Sequence, residues 1–164
     1  MITIESKTSR GDFTLYENRE PVLTMKRRGW FSVSNEMTYL GHFIEIKPRN
    51  IWGRKYDIFD NGRIVGEIIA EPFFGGTDIV VEGVNYKKHR FLLKRKGFFT
   101  GRFELYDAQG DFVLSLHPKF NWSTFSFNMN VAVGYWDEDD LDIYELLAYC
   151  GFAAFLYYRR RNSK

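Results

Sequence analysis

Three stretches of the chain repeat one alternation of apolar and polar positions when laid over one another: Phe13 to Met25, Tyr56 to Ile68 and Phe103 to Leu116. Each opens with a β-rich run (Phe13-Thr14-Leu15-Tyr16, Tyr56-Asp57-Ile58-Phe59, Phe103-Glu104-Leu105-Tyr106), passes an acidic-polar turn and closes with a second β-rich run. The turns Asp60-Asn61-Gly62 and Asp107 to Gly110 supply Asn, Asp and Gly, which accept the positive φ of hairpin turns. Three hairpins of one design are predicted. The first copy lacks the glycine and carries Pro21 after its turn; without an N–H at that point, the hairpin is expected at a sheet edge. The spacing of roughly 45 residues raises the propeller-blade period, but three copies with unlike intervening segments do not make an array.

The strand signal continues outside the hairpins. Thr38 to Lys47 and Thr77 to Tyr86 are rich in Ile, Val, Phe and Tyr, with Gly75-Gly76 and Gly97 as turn punctuation. From Thr124 to Trp136 the alternation is strict: Phe125, Phe127, Met129, Val131, Val133 and Tyr135 share one face, and Ser126, Asn128, Asn130, Ala132 and Gly134 the other. That is a strand with one dry side. So many short strands predict a mostly antiparallel sheet that closes into a barrel or packs as a sandwich, because open edges template aggregation.

The pattern changes after the last strand. Leu146 to Tyr158 (LLAYCGFAAFLYY) is apolar around a whole helix circumference, with acidic residues before it and Arg159-Arg160-Arg161 after it, charges that suit the two ends of a helix dipole. Asp139 and Asp142 are the N-cap candidates, and the expected helix runs over about 139–159. At 1.5 Å per residue the apolar run is roughly 20 Å long against about 30 Å for a bilayer core, and extending it backwards takes in Asp142 and Glu145. Small residues (Ala148, Cys150, Gly151, Ala153, Ala154) interleave with large ones (Tyr149, Phe152, Phe155, Leu156), as a rod surrounded by strands requires. A core helix enclosed by β-structure is expected, with a membrane anchor as the alternative.

The length of 164 residues suits one domain, 1–164, and a content of 45% hydrophobic and 18% aromatic residues excludes a disordered chain. A net charge of +2 calls by itself for neither nucleic acid nor membrane, so a charged partner has to be argued from a local patch. The single cysteine, Cys150, lies inside the apolar run, which leaves no disulfide framework and no Cys/His metal spacing. No metal and no cofactor is expected. The first residues are polar and lack the apolar stretch of a secretory signal, so a cytoplasmic protein is expected and the sequon at Asn121-Trp122-Ser123 is without consequence.

Hairpins of the form YDIFDNGRIVGEI and FELYDAQGDFVLSL, followed by a long alternating strand and a terminal apolar helix, resemble the superfamily that joins tubby C-terminal domains, plant LURP-one-related proteins and phospholipid scramblases. The likeness covers nearly the whole chain and is one of element order, without a catalytic motif. It implies a mainly β fold, a closed antiparallel β-barrel of about twelve strands enclosing a C-terminal hydrophobic α-helix. For function it points unevenly: tubby domains bind phosphoinositide headgroups through basic residues, scramblases are membrane-associated and respond to calcium, and many LURP-one-like members have no assigned activity. The segment Asp137-Glu138-Asp139-Asp140-Leu141-Asp142, directly before the helix, is the closest local match to scramblases. It departs from EF-hand spacing, lacking the turn glycine and carrying Ala148 where the bidentate Glu would stand, and the Pro-rich, Cys-rich region of scramblases is absent.

The basic run Lys87, Lys88, Arg90, Lys94, Arg95 and Lys96, interleaved with aromatics and with Arg27-Arg28-Gly29-Trp30 as a candidate neighbour, is the expected anion-binding surface. The plain alternative is a strand whose outer face is guarded by cations. Anionic phospholipid is preferred to nucleic acid, for which no reading motif is present. His42, His89 and His117 are scattered, Ser115-Leu116-His117 is a strand pair on one face, Gly75-Gly76 lacks the Lys-Ser/Thr of a phosphate loop, and Cys150 sits in the dry run, so no enzyme is expected. The resulting expectation is a non-enzymatic binding or scaffold module for anionic phospholipid, cytoplasmic and peripheral at the membrane. Its alternatives are a tail-anchored, scramblase-like membrane protein and a protein-interaction or regulatory module without a small ligand.

Overall fold

The computed structural model describes residues 1–7, 11–28, 34–50, 53–71, 76–97, 101–121, 126–136 and 139–162. They form β1 (Ile2–Ser6), β2 (Phe13–Glu17), β3 (Glu20–Arg28), β4 (Ser34–Tyr39), β5 (His42–Pro48), β6 (Lys55–Asp60), β7 (Arg63–Ala70), β8 (Thr77–Glu82), β9 (Lys88–Lys96), β10 (Arg102–Tyr106), β11 (Phe112–Asn121), β12 (Ser126–Val133) and α1 (Ile143–Asn162). Each strand pairs antiparallel with the next and β1 returns to pair with β12, so the sheet is a closed up-and-down barrel. Ile4 sits at the closure between Met129 on β12 and Leu15 on β2, and all three are fully buried.

The helix fills the barrel. Leu146, Leu147, Ala148, Tyr149 and Cys150 are consecutive and each 0% exposed, which a helix reaches only when it is covered on every side. Aromatic side chains fix its far half: Phe155 stacks on Phe13 at 5.3 Å between ring centres, Phe152 meets Tyr56 edge-on at 5.2 Å, and Tyr157 and Tyr158 both pack on Phe103. Among the described residues no helix is long and apolar enough to cross a membrane.

The three look-alike segments are hairpins, as their pattern predicts, and they share one irregularity that it does not announce. In each, the register slips by one residue after the third position of the first strand: Leu15 faces Leu23 but Tyr16 faces Pro21; Ile58 faces Gly66 but Phe59 faces Ile64; Leu105 faces Leu114 but Tyr106 faces Phe112. The extra residue is a valine every time, Val22, Val65 and Val113, and each packs into the core cluster or against it. A bulge sharpens strand twist, so three of them around the ring help a twelve-strand sheet to curl shut.

Four expectations need correction. Pro21 is not at an edge: the closed sheet has none among its strands, and the proline is accommodated beside the bulge. Thr38 to Lys47 is not one strand, because Leu40 and Gly41 both adopt left-handed φ and turn the chain from β4 into β5. The helix begins at Ile143 rather than near 139 and runs to Asn162: Asp142 is the cap, its Oδ1 accepting the N–H of Tyr144 at 2.8 Å and of Glu145 at 3.2 Å. The dry face predicted for residues 124–136 holds at Met129 but gives out at Val133 and Tyr135, which are 39% and 79% exposed where the strand leaves the barrel. Thr124 and Phe125 lie outside the described residues, as do Gly29, Trp30, Gly75, Trp122, Ser123, Asp137 and Glu138.

Candidate functional site

A barrel filled by its own helix offers a ligand no lumen, so chemistry is confined to the outer wall and the two mouths. The up-and-down path puts the turns β2–β3, β4–β5, β6–β7, β8–β9 and β10–β11 around the start of α1; this is the hairpin mouth. The opposite strand ends surround the end of α1, where Arg159 and Arg160 emerge; this is the arginine mouth.

Two tyrosine-to-carboxylate hydrogen bonds and one histidine pair tie the helix and the segment before it to the wall at the hairpin mouth, and a third tyrosine-to-carboxylate bond lies within the helix. Tyr39 donates to Asp142 at 3.1 Å, Tyr149 donates to Glu145 at 2.6 Å, and Tyr144 donates to Glu17. Burial raises the carboxyl pKa of Glu145, with the Tyr149 hydroxyl acting in the opposite sense. Deeper in the wall, His89 Nε2 lies 2.7 Å from Asp140 Oδ2, and the Asn85 N–H donates to Asp140 Oδ1 at 2.6 Å. That hydrogen bond from His89, then the one from Asn85, holds the Asp140 carboxyl below its ordinary range. Gly83 is obligatory here, since a Cβ would collide with the Asp140 carboxylate.

The net charge of +2 conceals a separation along the barrel axis. The hairpin mouth gathers Glu17, Glu20, Asp60, Glu82, Asp107, Asp111, Asp139, Asp140, Asp142 and Glu145 against Arg19, Arg63, Lys87, Lys88 and the amino terminus. The arginine mouth gathers Lys26, Arg27, Arg28, Arg54, Lys55, Lys94, Arg95, Lys96, Arg102, Lys119, Arg159 and Arg160, against carboxylates that include Glu5, Asp12, Glu36, Glu45, Glu71, Asp78 and Glu104. Among the described residues no carboxylate lies within ion-pair distance of Lys94, Arg95, Lys96 or Arg159. Burial lowers the Arg159 guanidinium pKa, and nearby Arg27 lowers it further.

This geometry splits the basic run predicted from sequence. Lys87 and Lys88 belong to the hairpin mouth, and Arg90 to the outer wall one step in, whereas Lys94, Arg95 and Lys96 stand at the arginine mouth. Lys88 and Lys96 are eight residues apart on one strand, roughly 27 Å, too far to grip one phosphate. Along β9 the side chains alternate: His89, Phe91 and Leu93 are buried, and Lys88, Arg90, Lys94 and Lys96 are exposed. Arg95 is half-buried and turns to the helix, its guanidinium 5.4 Å over the Tyr157 ring, and its Nε is buried without a hydrogen-bond partner among the described residues. Lys94 and Lys96 flank the Tyr106 ring at 5.6 and 5.9 Å.

Next to them on the outer wall, Gly101, Arg102, His117 and Pro118 line a depression of about 220 Å³. Arg102 is positioned by Glu104 (Nε to Oε1, 2.7 Å), and the Ser115 hydroxyl lies 2.8 Å from His117 Nε2. Glu104 is held ionised, first by the Tyr106 hydroxyl and then by Arg102. Sequence reading missed Arg102, His117 and Lys119 as neighbours of Lys94 and Lys96, because register across β9, β10 and β11 brings them together. Among the described residues no group of His, Cys, Asp or Glu is placed to hold a metal ion. Cys150 is fully buried, and burial raises its thiol pKa above the ordinary range. No protein family, curated protein or solved structure matches the chain.

Proposed function

We propose that the chain is a non-enzymatic binding module whose arginine mouth seats the headgroups of anionic phospholipids, in a cytoplasmic protein that docks peripherally on the membrane. One observation carries the reading: Arg95 and Arg159 stand at this mouth with no described carboxylate at ion-pair distance, and Lys94 and Lys96 stand on the wall beside it, where the facing carboxylate, Glu104, is already engaged by Arg102 and Tyr106. A cluster of this kind repels itself unless an anion joins it, and each cation near an anionic bilayer contributes about 1 kcal/mol. The wall depression beside it, with Arg102 and His117, has room for one phosphate group. The resemblance to tubby-like and LURP-one-related proteins supports the same class of ligand. A tail-anchored protein would need α1 to leave a lumen in which its central turns are fully buried, so that alternative is disfavoured.

The test is co-sedimentation with vesicles of phosphatidylcholine alone and with added phosphatidylserine or phosphoinositide. Wild type and the variant K87E/K88E are expected to pellet with the anionic vesicles, and K94E/K96E to stay in the supernatant. Absence of binding by the parent, or equal loss in both variants, would refute the proposal.

A further inference from the structure

At the hairpin mouth, two bulky residues stand where sister turns of the same barrel use Asn and Gly. Leu40 (φ 49°) takes the first left-handed position of the β4–β5 turn, which is Asn18 (φ 51°) in β2–β3 and Asn61 (φ 48°) in β6–β7. Tyr86 (φ 62°) closes its turn by donating its N–H to the Gly83 carbonyl at 3.0 Å. The corresponding residue of β10–β11, donating to Asp107 at 3.1 Å, is Gly110 (φ 87°). Left-handed backbone disfavours Leu and Tyr and suits Asn and Gly. Interior packing does not explain the choice, since Leu40 is 73% and Tyr86 72% exposed.

The same rim carries Ile64, Val84, Phe112 and Tyr135, exposed by 57%, 73%, 44% and 79%. They come from successive connections around the barrel, and neighbouring tips touch: the Arg63 guanidinium lies 5.5 Å over the Tyr86 ring, and the Phe112 ring packs at the backbone of Gly134, beside Tyr135. Among the described residues, Phe120 is the one exposed large hydrophobic residue outside this mouth. Asp60, which His42 meets at 2.8 Å, Asp111 and Asp139 are interspersed with the apolar tips; of the cations there, Arg63 is engaged by Glu82 at 3.0 Å, and Lys87 and Lys88 beside Tyr86 leave the carboxylates of this mouth in the majority.

We infer that this apolar arc docks a protein segment that presents apolar side chains together with Lys or Arg. Side chains held out on left-handed tips supply the apolar contact, and the surplus of carboxylates selects a cationic partner and rejects an anionic bilayer. The inference is independent of lipid binding, which uses the opposite mouth.

The experiment is a fluorescence-anisotropy titration of the intact protein with two labelled amphipathic helical peptides, one built of Leu and Lys and one of Leu and Glu. The Leu/Lys peptide is expected to bind and the Leu/Glu peptide not to. The variant L40N/Y86N, whose Asn residues suit the backbone, is expected to weaken binding about tenfold or more without lowering the melting temperature or the vesicle binding of the parent. Unchanged affinity in the variant, or equal affinity for both peptides, overturns the inference. A dimer in sedimentation velocity that L40N/Y86N dissolves overturns it in favour of a second copy, and loss of vesicle binding by that variant overturns it in favour of a bilayer.

Discussion

His89 Nε2 and Asp140 Oδ2 lie 2.7 Å apart, and this contact joins the β8–β9 wall to the link that feeds the helix into the barrel. Both side chains are buried, and the Asp140 main-chain carbonyl also accepts the Val84 N–H at 2.8 Å. Replacing Asp140 by Ala leaves His89 and the Asn85 N–H without their acceptor, so the melting temperature is expected to fall by several degrees; Asn, which keeps an acceptor oxygen, should lose less. Because the hydrogen bonds depress the Asp140 pKa, its stabilisation is complete above the unfolded value of about 4 and is lost as pH falls through the folded value. Acid unfolding followed by circular dichroism should therefore be less steep in D140N than in wild type.

Glu145 works in the opposite sense. Burial raises its folded pKa, so the stability associated with the protonated form is complete below the unfolded value of about 4.3 and is lost as pH rises through the folded value. Glu145→Gln, which keeps an acceptor for the Tyr149 hydroxyl, should escape that loss. Urea titrations across this range should show the variant gaining on wild type as pH rises and then running parallel to it. A gap that stays constant with pH would contradict the assignment.

Gly151 faces Phe13 so closely that a Cβ would sit 3.0 Å from Cζ and 3.1 Å from Cε2. Phe13 has no freedom to yield, being stacked on Phe155. Overpacking of this kind costs about 1–3 kcal/mol, against roughly 1 kcal/mol gained by replacing a mid-helix Gly with Ala. Gly151→Ala is expected to be destabilised by up to about 2 kcal/mol in chemical denaturation, and Phe152→Ala, which opens a cavity, by about 3–5 kcal/mol.

Vesicle binding through the arginine mouth should be steeply salt-dependent. The screening length falls from about 10 Å at 0.1 M to about 3 Å at 1 M salt, so pelleting with anionic vesicles should be abolished over that range. Binding that survives high salt would point to insertion of apolar side chains instead.

The barrel and its rod were legible because they are written in local periodicities. Alternation placed the hairpins, and the all-round apolar run from Leu146 to Tyr158 placed the core helix. The bulges at Val22, Val65 and Val113 were hidden because a one-residue slip leaves the composition of a strand unchanged. The basic run was misjudged as one patch because sequence proximity is not spatial proximity in a strand: Lys87 and Lys96 go to opposite mouths, while Lys94, Arg102 and His117 come together only through register. The pairs His89–Asp140 and Tyr144–Glu17 join residues far apart in the chain, and no sequence signal marks them.

The helix that fills the barrel follows all twelve strands in the chain. Until α1 is available the inward faces of β1 to β12 have no partner, and until β1 meets β12 two strand edges stay open. The chain is thus unable to mature strand by strand as it leaves the ribosome. Folding is completed only after the helix is available, and a nascent chain stalled before it is the form most exposed to aggregation and most in need of a chaperone.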